Sequence, residues 1–151
     1  MVITTKYFQM DKNDIHFFYQ RDIQRVIDEI ALFKDEANIW KICGSTKNSA
    51  GNLALHLIGG LNYLIGTNLF HTGYVRNRDA EFTTKGIEKE QLIAQLKELN
   101  SMIGKTISSL TEEQLDSSFP IFFDKENATV NYVLTQLLLH LNYHLGQINY
   151  L

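Results

Sequence analysis

Pro120 is the only proline in a chain of 151 residues, and this scarcity constrains the fold more than any other feature. Proline breaks a helix interior because it has no N–H to donate and its ring meets the preceding turn, so segments free of it can run as long helices. On either side of Pro120, apolar residues recur at steps of three and four, the period of a helix with one buried face. Together these predict an all-α chain.

The first stripe is Ile15, Tyr19, Ile23, Val26, Ile30, Phe33 and Ala37, in a helix that starts before Asp14 and fades near Trp40. Arg21, Arg25, Asp28, Glu29 and Lys34 fall elsewhere on it. The turn-rich CGSTKNSAGN then supplies Ser49 as an N-cap for a second, almost continuously apolar helix from about Ala50 to Phe70. A polar loop, HTGYVRNRDAEFTTKG, leads to a third helix marked by Ile87, Leu92, Leu96, Leu99, Ile103, Ile107 and Leu110. TEEQLDS opens a short helical turn with a Thr-x-x-Gln capping pattern, and FPIFF is an extended connection. A fourth long helix runs from about Thr129 to the end. This layout predicts an antiparallel four-helix bundle, one domain over residues 1–151, with the two middle loops covering one of its ends.

A net charge of −3 and a pI of 5.9 leave no basic footprint for phosphates, so nucleic acid and anionic membrane are not expected partners. The longest apolar runs are broken by His56 or by His140, Asn142 and His144, and a membrane-spanning helix is not expected. The amino-terminal MVITTKYFQMDKND lacks the basic start and apolar run of a secretory leader. With a single cysteine, Cys43, which excludes an internal disulfide, this points to the cytoplasm. Only Lys41 and Lys47 are nearby to activate the thiol, so Cys43 reads as a small buried hydrophobe.

Two histidines interrupt LLLHLNYHLGQINYL, residues 137–151. Burying an imidazole without a partner costs free energy, so something should satisfy them. His140 and His144 lie one helical turn apart on one face, with Val133, Leu137 and Leu151 on the same stripe, which turns them toward the bundle interior. His56 occupies the middle of the apolar second helix. A histidine alone in a core is most often a hydrogen-bonded structural residue. Three together match the ligand count of an open catalytic metal site, with zinc the leading ion and nickel, copper and iron(II) also suited to nitrogen. Leu141 stands where a zinc protease needs its glutamate, and the chain has no Glu-x-x-His pair and no Cys-x-x-Cys-His, so protease, di-iron and c-type haem chemistry are not signalled. The site reads as histidine-rich, without a built-in carboxylate ligand.

Taken together, NLALHLIGGLNYLIG, TGYVRNRDAEF and the closing HLNYHLGQI resemble the DinB/YfiT-like superfamily of four-helix bundles, in particular its small bacterial branch of uncharacterised proteins. The resemblance implies a divalent metal ion held by one histidine of the second helix and two of the last, here His56, His140 and His144. It also implies a choice of activities, from S-transferases and isomerases that use bacillithiol or mycothiol to proteins with no assigned reaction. Gln147, one turn beyond His144, could hydrogen-bond a metal-bound water or ligand, or satisfy the helix end. Arg76 and Arg78 could grip a carboxylate of a thiol cofactor, or belong to a solvated loop or a dimer contact. Gly59, Gly60 and Gly146 would permit close packing. His71 reads as an exposed or capping histidine at a helix end, and His16 as a surface residue.

Two functions remain open on these residues. One is a metal-dependent enzyme that activates a thiol or water for S-transfer or hydrolysis of an unidentified small molecule. The other is a non-catalytic metal- or small-ligand-binding bundle. Tyr132, Leu139, Tyr143 and Tyr150 form an extra apolar flank on the last helix, from which a homodimer is expected.

Overall fold

The first apolar stripe forms α1, Lys12–Leu32, whose start is capped by the Asp11 side chain accepting from the Asn13 amide at 2.7 Å. In the computed structural model, which describes residues 10–151, the beginning of the stretch read for a leader, residues 1–9, lies outside the described residues. α1 stops at Leu32 instead of fading near Trp40. The Asp35 side chain takes the Ala37 amide at 3.0 Å and starts a separate 3-10 turn, Glu36–Trp40. Short polar side chains compete in this way with continuation of a helix.

Ser49 caps α2, Ala50–Leu61, as expected. A π-helical segment, Asn62–Thr67, and the short α3, Asn68–Phe70, continue it. The side-chain amides of Asn62 and Asn68 donate to the carbonyls of Ile58 and Tyr63 at 2.9 and 2.8 Å, occupying acceptors beside the widened turns. His71 ends this run in the left-handed region, at φ 53°, and is exposed. The polar loop holds a helix the periodicity did not predict, α4, Arg78–Thr83, capped by Asn77. The remaining elements are α5, Lys89–Ser109, α6, Glu112–Asp116 with the predicted capping box on Thr111, and α7, Val130–Asn149. Among the described residues there is no strand, only an isolated bridge between Ser118 and Thr129.

The long helices pack as an all-α bundle in which α1 and α2 each lie against α5 and α7. Bonds across the seams give their directions. Lys12, at the start of α1, donates to the Leu110 carbonyl just past α5 at 2.8 Å, and Lys89, at the start of α5, donates to Phe33 at 3.1 Å. These two helices are therefore antiparallel. Asn131 and Asn149, at the two ends of α7, donate to Met10 and Glu29, so α7 runs the same way as α1. Leu53 shares a cleft with His144, and Leu61 another with Leu137, so α2 is antiparallel to α7 and parallel to α5.

Parallel neighbours cannot be joined by a tight turn. Residues 71–88 must return the length of the bundle, and they do so along α2. Asn52 Nδ2 donates to the carbonyls of Glu81 and Thr84 at 3.0 and 2.9 Å, and Arg76 lies beside Gly60. This crossover covers the flank of α2 and not an end of the bundle, which corrects the sequence expectation.

Ile15, Tyr19, Ile23, Val26 and Ile30 are all buried in the core, each apolar side chain contributing about 1.5–3 kcal/mol. Tyr19, fully enclosed, donates its hydroxyl to the Leu134 carbonyl at 2.7 Å. By length and hydropathy alone, Ala50–Phe70 could cross a membrane, with a mean hydropathy of 1.3. In the bundle its Leu53, Leu57, Leu61 and Ile65 are buried in the shared core. Cys43 is exposed rather than buried, because CGSTKNS forms a turn outside the helix seams. Among the described residues no other side chain or neighbouring element comes within 4 Å of a Cβ built on Gly146, so this glycine serves no close packing there. Leu139, Tyr143 and Tyr150 are exposed on α7, whereas Tyr132 is partly buried, bonded to Asp124 and stacked by Lys125.

Candidate metal centre

α2 and α7 run side by side in opposite directions, which sets the middle of one against the middle of the other. His56 of α2 thereby meets His140 and His144 of α7. One nitrogen from each of the three lies within 4.8 Å of the others, and this group could hold a metal ion. His56 Nε2 and His140 Nε2 are 3.1 Å apart. A tetrahedral zinc with Zn–N bonds of about 2.05 Å has ligand atoms about 3.3 Å apart. The donor set and this spacing fit such an ion.

Each anchoring imidazole is oriented by a partner on its far side. The His56 Nδ1–H faces Glu81 Oε2 at 2.9 Å, and the His144 Nδ1–H faces Gln147 Oε1 at 2.6 Å. With the proton on Nδ1 in both, Nε2 of each ring is left with a lone pair. Glu81 is buried and is itself gripped by Arg76, whose Nε and Nη2 donate to its two oxygens at 2.7 and 2.9 Å. Burial pushes the Glu81 carboxyl up, but the hydrogen bonds from Arg76 and His56 outweigh it and hold the group below its usual value. The charged form beside His56 is thereby secured.

His140 and His144 are held in the neutral form. Partial desolvation of the ring where it packs against the other two, reinforced by His144, His56 and Arg76, lowers His140 from 6.5 to about 4. His144 is also lowered, by burial first, with the Gln147 bond opposing and His56 assisting. Neutral nitrogen is the form that binds a metal. The three do not sit deep in the core as their stripe suggested: His144 is buried, His56 half-buried and His140 exposed. The α2–α7 seam opens at this level into a cleft, and His140 stands at its mouth.

That cleft, of about 420 Å³, is lined by Arg76 and Arg78, by Leu57, Leu61, Leu64 and Leu137, and by His56 and His140. Arg76 is committed to Glu81, while Arg78 is exposed and makes no ion pair among the described residues. His144 and Gln147 face a second cleft of about 760 Å³, bounded by residues 45–48, Tyr143 and Tyr150. Gln147 thus holds His144 directly.

Glu81 is the residue whose role sequence reasoning missed. The signal was available on α2, where Asn52, His56 and Gly59 share one face at steps of four and three in an otherwise apolar helix. A Cβ on Gly59 would collide with the Glu81 carboxylate, so this glycine exists for a polar neighbour. A Cβ on Gly60 would come no closer than 3.5 Å to Arg76.

No curated protein matches the chain. The cluster is consistent with the three-histidine site of the DinB/YfiT-like type. The family described as "Protein of unknown function (DUF1572)" matches residues 3–151, nearly the whole length, and the chain belongs to that family.

Proposed function

We propose that the chain is a divalent-metal-dependent enzyme of the DinB/YfiT-like type. In this reading His56, His140 and His144 hold zinc, or alternatively nickel, and the open side of the centre takes a low-molecular-weight thiol or water for S-transfer or hydrolysis. The observation that carries the reading is the paired orientation of His56 by Glu81 and of His144 by Gln147, each leaving Nε2 for the cluster. Structural histidines need hydrogen bonds but no such convergence.

A divalent ion bound by three neutral nitrogens keeps its full charge and lowers the pKa of a thiol or water beside it. The chain's own residues do the rest. Glu81 fixes the His56 tautomer and raises the basicity of the ring, Arg76 fixes Glu81, and the leucines of the cleft provide an apolar wall for a substrate. Turnover of thiol-plus-electrophile pairs or esters by the metal-loaded protein is expected to disappear in His56→Ala, His140→Ala and His144→Ala alike. Undiminished turnover in a metal-free triple variant would end the enzyme reading.

A binding module without turnover is the second reading. One observation favours it: the carboxylate nearest the cluster, Glu81, is fully engaged by Arg76 and His56 and is not free to act as a base. Tight metal binding with no turnover across the same panel would select it. Leu139, Tyr143 and Tyr150 support the further proposal of a homodimer through α7, which sedimentation as a monomer at micromolar concentration would refute.

A further inference from the structure

The cleft beside His140 has an imbalance of charge that the metal centre does not use. Among the described residues none that lines it is acidic, and it contains two guanidinium groups. Arg76 is neutralised by Glu81, with Nε and Nη2 both occupied. Arg78 is left with its whole fork free among the described residues. The same lining includes Leu57, Leu61, Leu64 and Phe123, and the volume of about 420 Å³ is that of a small-molecule site. An uncompensated guanidinium at the rim of an apolar cleft selects a two-oxygen anion, which it can meet with parallel N–H···O bonds.

We infer that this cleft binds a small organic carboxylate, its apolar body against Leu57, Leu61 and Phe123 and its carboxylate on Arg78, with its other end directed at His56 and His140. The placement of that other end rests on the metal-centre reading, whereas the carboxylate contact does not. Arg78 is then the residue that sets substrate charge, and Arg76 positions Glu81.

The test is a chemical-shift titration of the metal-free protein and of the zinc-loaded protein with 3-phenylpropionate and with its neutral amide, 3-phenylpropionamide. The carboxylate is expected to bind about tenfold more tightly than the amide, saturably and with shifts centred on Arg78 and Leu61. Arg78→Gln should remove this preference while leaving amide binding unchanged, and Arg78→Lys, which keeps the charge but loses the fork, should fall between. Equal binding of acid and amide, no saturable binding of either, or an unchanged preference in Arg78→Gln would overturn the inference. Zinc content, measured on the same samples, reports separately on the metal centre. Carboxylate selectivity in a chain that refuses zinc would therefore sink the metal reading and leave the Arg78 contact standing.

Discussion

Among the described residues the bundle contains two enclosed carboxylates, and each is held by arginine, but they do different things. Asp22 of α1 receives Arg21 at 2.7 and 3.0 Å, Arg25 at 3.3 Å and, from α7, Asn142 at 2.8 Å. Glu81 of α4 receives Arg76 and, from α2, His56. In both, burial pushes the carboxyl up and the hydrogen bonds outweigh it, so both sit below their usual value. The difference lies in the last partner. An amide on Asp22 can only be clamped, which ties α7 to α1, whereas an imbidazole ring on Glu81 is oriented and made more basic on its other nitrogen. The same device is a fastener between α1 and α7 and, at the proposed metal site, a support for His56.

The largest expected effect on stability comes from Asp22→Ala. Loss of a fully buried carboxylate should cost about 2–3 kcal/mol, at the low end for a buried pair because Arg21 and Arg25 reach water. Chemical denaturation measures this, and metal affinity should be unchanged. Glu81→Ala should show the reverse emphasis, a fall in metal affinity of about 10- to 100-fold read by competition with a chelator. If both variants lose stability and neither loses metal, the two carboxylates are the same kind of residue and the comparison fails.

A finer contrast lies in adjacent glycines. Gly60→Ala should stabilise α2 by up to about 1 kcal/mol, since alanine is the better helix former and its methyl group would meet Arg76 only at an ordinary contact distance of 3.5 Å. Gly59→Ala should lose that gain and weaken metal binding by on the order of tenfold, because its methyl group displaces the Glu81 carboxylate. Equal behaviour of the two variants would show that Glu81 can shift without consequence.

The two regions also separate by pH. In the metal-free chain His140 ionises at about 4 against an ordinary 6.5, so between these values the unfolded chain binds more protons and stability falls as pH drops. His144 acts in the same direction. The stability supplied by Asp22 and Glu81 is present at neutral pH and is lost at lower pH, as each carboxylate is protonated through its depressed value. Urea midpoints against pH should flatten in the upper window for His140→Ala and in the lower one for Asp22→Ala.

The helices were legible because their signals are local. The stripe of α1, the Ser49 cap, the Thr111 capping box and the i, i+4 spacing of His140 and His144 all lie within a turn or two of chain. The directions of the helices were not legible, because α2 and α5 run parallel only through contacts at both ends of the bundle. With that direction went the course of residues 71–88 along α2, and so the meeting of Glu81 with His56, 25 residues apart. The end of α1 was misplaced because Asp35 serves a new turn, a choice hydrophobic period does not register. The exposure of His140 was missed for a related reason, since a stripe shows which way a face turns but not where the seam opens.

The most direct test is metal content. The chain, purified without a histidine tag, is compared by elemental analysis with the His140→Ala, His144→Ala double variant, each before and after exposure to zinc and nickel. About one equivalent of a transition metal is expected in the parent and none in the variant. Parent protein that is metal-free and refuses both ions would contradict it, and would leave His56, His140 and His144 as residues that only hold α2 to α7.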